Sequence, residues 1–370
     1  MSSETATPQE QTPDGVRALE FFSGLGGLHY GLEFAVPDAC VVAAFDINEH
    51  ANKCYLHNFG LKPIYTGIEY LDHKAIDKFR ANCWLMSPPC QPYTRGGKEL
   101  DDKDARAEGL LHLVKLLGQV TNVPRYIFVE NVPNFETSRS RELLVEKLDE
   151  LNYEIHEFLV SPLQVGVPND RKRYYLTARL RPEGVRDPCD PSYLDSATVH
   201  SVPWLSPPST RFPQPRPIAD YLEDLAVGDQ TYDVPEKFIT KRHKFRFDVV
   251  KPDSTSGSCF TKAYGSHHVI GSGSFLQTRN FHKQYQADDQ SALLTLGLRF
   301  FSPTEVARLH AFPITGEAEL HNRDGSPRAS RHAFTFPDSI SMAQRWRLLG
   351  NSLNCRVVGV LMRDVLFRPT

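Results

Sequence analysis

No stretch of this chain holds the roughly 18 consecutive apolar residues that a membrane-spanning helix needs, so no helical span is expected. Cysteines are few, seven in 370 residues, odd in number and without a C-x-x-C pair. A disulfide framework and a cysteine-rich zinc cluster are therefore not expected, and no metal is assigned. Reduced thiols in a chain of this size point to the cytosol or the nucleus. A surplus of one charge sign is also missing. Lys and Arg number 42 against 45 Asp and Glu, a net charge of −3. Overall charge thus makes no case for a nucleic-acid partner, and any such case must be local. The opening residues, Met1 to Gly15, lack both an apolar core and a positive start. They read as a disordered tail rather than a secretory signal.

What is present is an alternation. Val16–Phe22, Val41–Phe45, Trp84–Ser87, Tyr126–Val129 and Tyr174–Ala178 read as buried strands. Leu28–Phe34, Glu49–Asn58, Leu110–Val120 and Arg141–Leu151 read as helices between them. Strands alternating with helices predict an α/β fold with a parallel, doubly wound sheet. Proline becomes dense from about Arg181 to Pro217, which marks a domain boundary. The expected organisation is a tail at 1–15, a large domain at 16–185 plus 340–370, and a smaller domain at 186–339. Residues 314–338 read as a long loop, and Met342–Leu349 and Cys355–Phe367 as closing helices.

The chemistry-bearing residues sit where strands end. Gly24-x-Gly26-Gly27 lies between a strand and a helix, which permits a tight turn and close approach of a ligand to the backbone. Amides at that helix start suit a carboxylate or phosphate. Asp46 ends the next strand, where an acid accepts hydrogen bonds from ribose hydroxyls. The pair indicates an adenosine-type cofactor without choosing among NAD, FAD and S-adenosylmethionine. Ser87-Pro88-Pro89-Cys90-Gln91-Pro92 follows an apolar strand. Two prolines cannot continue a ladder, so the chain leaves the sheet and presents Cys90 at a strand's carboxyl edge. Glu130-Asn131 ends another strand, Asn169 and Arg171-Lys172-Arg173 precede a further one, and Gly350-Asn351-Ser352 opens the last helix.

In chain order these are F-x-G-x-G-G, P-P-C-Q, E-N-V, R-x-R and G-N-S, and together they resemble the DNA cytosine-5 methyltransferase family over 16–179 and 300–367. Ser258-Cys259-Phe260-Thr261 and Leu349-Gly350-Asn351-Ser352-Leu353-Asn354 resemble a narrower branch, the short eukaryotic enzymes that methylate aspartate tRNA. The resemblance implies a Rossmann-like S-adenosylmethionine-dependent sheet with a smaller target-recognition domain. It implies a cofactor site at Leu25, Gly26, Gly27, Asp46, Ile68, Glu69, Ser87 and Ser352. It implies methyl transfer to cytosine carbon 5 in tRNA; a monomer is expected. The alternatives are the same reaction on DNA, and a catalytically silent RNA-binding protein of the same fold.

The residue types fit that reaction. Carbon 5 of cytosine is a poor nucleophile until a thiolate adds at carbon 6, and Cys90 supplies the thiol. Backbone amides and arginines beside the turn are expected to lower its pKa. Glu130 is the donor expected at ring nitrogen 3. Arg171 and Arg173, two residues apart on an extended segment, face one side and hold the base carbonyl, phosphate or carboxylate. Cys259 reads as a packed thiol. Gln91, Thr94 and Arg95 follow the nucleophile on a Gly-rich segment able to close over the target. Lys241, Arg242 and Lys244, interleaved with Phe238, Phe245 and Phe247, suit an RNA backbone and splayed bases.

Overall fold

Four extended segments dominated by apolar residues, each followed by a helix, build the centre of the computed structural model. It describes residues 15–90, 101–182, 199–202, 214–226, 228–241, 245–266, 272–286, 288–314, 320–321, 327–328 and 330–368. In chain order the first half comprises β1 Arg17–Phe21, α1 Gly27–Ala35, β2 Cys40–Phe45, α2 Glu49–Phe59, α3 His73–Asp77 and β3 Cys83–Met86. Then come α4 Glu108–Leu117, β4 Tyr126–Asn131, α5 Arg139–Glu150, β5 Tyr153–Val160 and β6 Arg173–Leu180. These six strands form one sheet in the order β2-β1-β3-β4-β6-β5.

The sheet is not wholly parallel as the alternation predicts. β1 pairs parallel with β2 and β3, and β3 with β4. β6 pairs antiparallel with both β4 and β5, so β6 alone runs against the others. β5 was not anticipated. Its pattern alternates, but the face turned to the sheet's core carries Glu157, which reads as polar. That carboxylate is buried and receives the Arg141 guanidinium and the Tyr174 hydroxyl.

Strand period 2 sends alternate side chains to two apolar layers. Ala18, Leu85, Tyr126, Phe128 and Tyr175 face one layer with α1 and with α10 Cys355–Leu361. Leu19, Phe21, Trp84, Ile127 and Leu176 face the other with α4 and α5. The chain's last helices therefore cover the same face as its first.

Between the two halves lie α6 Glu236–Thr240, β7 Val249–Val250, β8 Phe275–Gln277, α7 Gln290–Leu293, β9 Leu298–Arg299, α8 Pro303–Leu309 and α9 Met342–Asn351. β7, β8 and β9 form a separate three-stranded sheet. Phe247, Phe275, Phe300, Tyr264 and Trp346 pack ring on ring beside it. No helix among the described residues is long and apolar enough to cross a membrane.

Candidate active site

The Gly-rich turn joins β1 to α1. Phe22 leaves the strand at φ 58, a left-handed conformation that costs a non-glycine residue energy and often marks a functional turn. Gly24 N–H donates to Asp46 Oδ2 and Asn48 N–H to Asp46 Oδ1, both at 2.8 Å, so Asp46 binds the two strand ends together. Gly26 caps α1 at φ 80, and a Cβ there would stand 2.3 Å from the Phe59 ring. One on Gly27 would stand 2.7 Å from Leu353 Cδ1 and 3.4 Å from Ser352 Oγ. The expected close approach of a ligand is, at these two glycines, an approach of the chain's own side chains. Likewise the N–H of His29, in the first turn of α1, already donates to Glu20 Oε1. Burial pushes this carboxyl up to about 8.

Ser87 Oγ donates to Phe22 O at 2.9 Å. Ile68 is buried, and it and Phe22 both border Gly109 of α4, whereas Glu69 stays exposed. The turn thus brings Leu25, Gly26, Gly27, Asp46, Ser87 and Ser352 to one sheet edge, with Ile68 alongside. Ile47, next to Asp46, is 63% exposed despite being apolar. Sequence reading missed it, though an isoleucine directly after a strand-ending acid is the available signal.

The second cluster lies at the same edge, after β3 and β4. Cys90 is half-buried beside Glu130, Arg173 and Arg171. Arg173 Nε lies 3.7 Å from Glu130 Oε1, both side chains largely buried. Arg171 is 2% exposed. Its Nη1 donates to Phe260 O at 2.7 Å and to Cys259 Sγ at 3.0 Å. Its Nη2 donates to Gly350 O at 3.1 Å and to Ser352 O. Arg171 and Arg173 do face one side, since Arg173 Nη2 also reaches Cys259 Sγ at 3.7 Å. Arg171, however, is engaged by the chain's own carbonyls, and clamps three segments together. The segment before it is pinned in register: Asp170 N–H donates to Gly257 O and Asn169 Nδ2 to Ser258 O.

Two electrostatic expectations are corrected. Cys90 is not held low. Burial raises its pKa, the Glu130 charge raises it further, and the two arginines only partly offset them. Cys259 is not an apolar packed thiol. Burial raises it too, but the Arg171 and Arg173 guanidinium groups at its sulfur outweigh that and bring it below the ordinary thiol range. Glu130 is raised by burial against the pull of both arginines, which favours a proton on its carboxyl.

Two further neighbours were not read from sequence. Arg106 pairs with Asp104 at 2.8 Å, and that pair, with a smaller contribution from Cys90, holds its guanidinium above the ordinary range. Tyr175 lies directly across the ladder from Glu130, its hydroxyl buried with no hydrogen-bond partner among the described residues. Gln91, Thr94, Arg95, Arg242 and Lys244 lie outside the described residues. Lys241 is exposed at the end of α6, and no contact among the described residues ties it to the Cys90 cluster.

A cysteine, a buried glutamate and two arginines beside a nucleotide-type turn fit a base-modifying transferase. The chain belongs to the C-5 cytosine-specific DNA methylase family, whose model matches residues 16–366. It is similar to the tRNA (cytosine(38)-C(5))-methyltransferase of Schizosaccharomyces pombe, 36% identical over 96% of this chain and 97% of that one. It is also similar to a Dictyostelium discoideum DNA (cytosine-5)-methyltransferase, 32% identical over 96% and 95%. Among solved structures it resembles S. pombe Dnmt2, with a TM-score of 0.73 at 34% identity, covering 95% of this chain and 98% of that one. A Spodoptera frugiperda DNMT2 mutant gives 0.75 at 33%, covering 96% and 100%.

Family membership implies S-adenosylmethionine as methyl donor. The donor set fits it. The Gly-rich turn holds Ser23 Oγ buried without a partner among the described residues, and an acid and an exposed apolar side chain follow β2.

Proposed function

We propose that this chain methylates carbon 5 of a cytosine in a tRNA anticodon loop, aspartate tRNA by resemblance, through a covalent Cys90 adduct. The observation that carries the reading is the meeting of Cys90, Glu130 and Arg173 at one sheet edge. Cys90 Sγ, as thiolate, bonds to cytosine carbon 6. The ring's electron pair moves toward nitrogen 3, where Glu130 gives its proton. Carbon 5 becomes enamine-like and can bond to the methyl group that a bound S-adenosylmethionine would supply from its sulfonium, which would be left as a neutral thioether. A base then takes the carbon 5 proton, nitrogen 3 returns its proton to Glu130, and Cys90 leaves as the ring's 5,6 double bond reforms.

Arg173, at the Glu130 carboxylate, holds it in place and keeps positive charge near the developing negative charge on the ring. Arg171 acts through the backbone it clamps. Leu25, Gly26, Gly27, Asp46, Ile68, Glu69, Ser87 and Ser352 would hold the cofactor. Gln91, Thr94, Arg95, Lys241, Arg242 and Lys244 would meet the RNA. An anticodon-loop cytosine is single-stranded, so extruding it costs less than opening a base pair.

The names of several relatives support tRNA as substrate, while the Dictyostelium relative's name favours DNA as a second reading. Tritiated methyl transfer to aspartate tRNA, to the same tRNA with its anticodon-loop cytosine replaced, and to duplex DNA tests both. Labelling of the first alone supports the proposal. Equal labelling of the altered tRNA, or preferential labelling of the duplex, refutes the substrate assignment.

A further inference from the structure

On α1, one turn apart, His29 and Glu33 are both buried. The segment at 330–335 brings His332 onto them. His332 Nδ1 lies 2.5 Å from Glu33 Oε1, and His29 Nε2 lies 3.8 Å from the same oxygen. One ligand atom from each of the three falls within 4.8 Å of the others. Tetrahedral zinc with bonds near 2.0–2.1 Å would set such atoms roughly 3.3 Å apart. The observed spacings bracket that value, so small side-chain rotations bring all three to one point.

We propose that His29, Glu33 and His332 form a binding site for a divalent transition-metal ion of the zinc class. The site is independent of the methyl-transfer reading.

The surrounding bonds have the form that metal ligands require. His29 Nδ1 contacts Tyr55 Oη at 2.8 Å, and Tyr55 donates onward to Glu20 Oε2 at 2.7 Å. Tyr55 then accepts from His29, which puts the ring proton on Nδ1 and the Nε2 lone pair toward Glu33. A lone pair facing a carboxylate calls for a cation between them. An outer partner on the non-coordinating nitrogen is the usual way a metal-binding histidine is oriented. Phe59 stacks on His29 at 3.9 Å and fixes its plane. Ser330 Oγ donates to Glu33 Oε2 at 3.0 Å, which holds the second carboxylate oxygen. His332 is about one-third exposed, which leaves a fourth position open to water.

Arg331 is the competing cation. Its Nε lies 3.5 Å from Glu33 Oε1, but its side chain is half exposed and Nη2 is held by Ala39 O. The rival occupant is a proton. A proton shared between His332 Nδ1 and Glu33 Oε1, 2.5 Å apart, would join the same pair without an ion. In sequence the site is invisible, because His332 stands 299 residues from Glu33. An ion there would tie the segment at 330–335 to α1, immediately behind the Gly-rich turn.

The full chain, stripped with a chelator, is titrated with Co2+ and then with Zn2+. One equivalent of Co2+ is expected to give visible d–d bands, without thiolate charge-transfer in the near ultraviolet, and to be displaced by Zn2+. Glu33→Gln and His332→Ala should weaken binding by more than about 100-fold, beyond the roughly 10–100-fold that loss of an outer partner costs. The exposed-site control His282→Ala should leave it unchanged. Circular dichroism melts show which variants fold, and the wild-type titration stands without them. Absence of a saturable equivalent in the wild type means a proton-shared network and overturns the proposal. So do thiolate bands, or unchanged affinity in a folded His332→Ala protein.

Discussion

Replacing Arg171 by lysine keeps the charge and removes the fork. The guanidinium serves four acceptors on two segments: Cys259 Sγ and Phe260 O on one, Gly350 O and Ser352 O on the other. An ammonium is one compact donor group and cannot span carbonyls that the fork reaches from opposite sides. At least two of these acceptors would be left buried and unserved. Each costs about 1–3 kcal/mol, so together about 2–6 kcal/mol. The expected destabilisation of Arg171→Lys is thus about 2–6 kcal/mol. Urea unfolding followed by circular dichroism measures it, read as a lower midpoint at unchanged slope. Arg173→Lys, whose contacts are longer, should lose less stability. A loss below about 1 kcal/mol in Arg171→Lys would refute the clamp and return Arg171 to a role at the base alone.

Cys90 should alkylate with iodoacetamide along a pH profile displaced above that of an ordinary thiol, because burial and the Glu130 charge both favour the protonated form. Glu130→Gln removes one of those causes and should move the profile to lower pH, while Arg173→Ala should move it higher. A profile unmoved by either change would show that these charges do not reach the sulfur. Gly350→Ala should destabilise strongly, since the added Cβ would stand 2.1 Å from the Thr261 carbonyl carbon and 2.3 Å from Lys262 N. Backbone cannot yield as a side chain does, and overpacking costs about 1–3 kcal/mol or more. Chemical denaturation within about 0.5 kcal/mol of the parent would mean that α9 and the segment after Cys259 separate freely.

The strands that carry the site were legible because they are apolar runs ended by polar residues. Cys90, Glu130 and Asp46 each stand where such a run stops, and a parallel sheet gathers those ends at one edge. β5 was missed because a buried glutamate at position 157 breaks the apolar pattern, and only its tertiary partners Arg141 and Tyr174 explain it. The reversed direction of β6 could not be read either, since period 2 carries no sign. The charge states of the two thiols also depend on contacts far apart in sequence. Arg171 reaches Cys259 across 88 residues, so Cys259 reads as apolar filler until the fold brings the arginines to it. Ile47 and Tyr175 gained interest only from exposure in one case and an unpartnered hydroxyl in the other.

The central claim is a covalent bond between Cys90 and cytosine carbon 6, and one trapping measurement tests it most directly. Aspartate tRNA is made with a fluorine on carbon 5 of the anticodon-loop cytosine. Methylation can proceed on such a ring, but no proton remains on carbon 5 for a base to remove, so Cys90 cannot be eliminated. Incubation with S-adenosylmethionine should yield a protein–RNA species that survives a denaturing gel. Peptide mapping should place the RNA on Cys90, and Cys90→Ala should give none. A wild-type enzyme that methylates the unmodified tRNA yet leaves no denaturation-stable adduct with the fluorinated one would contradict the account. So would an adduct that persists in Cys90→Ala.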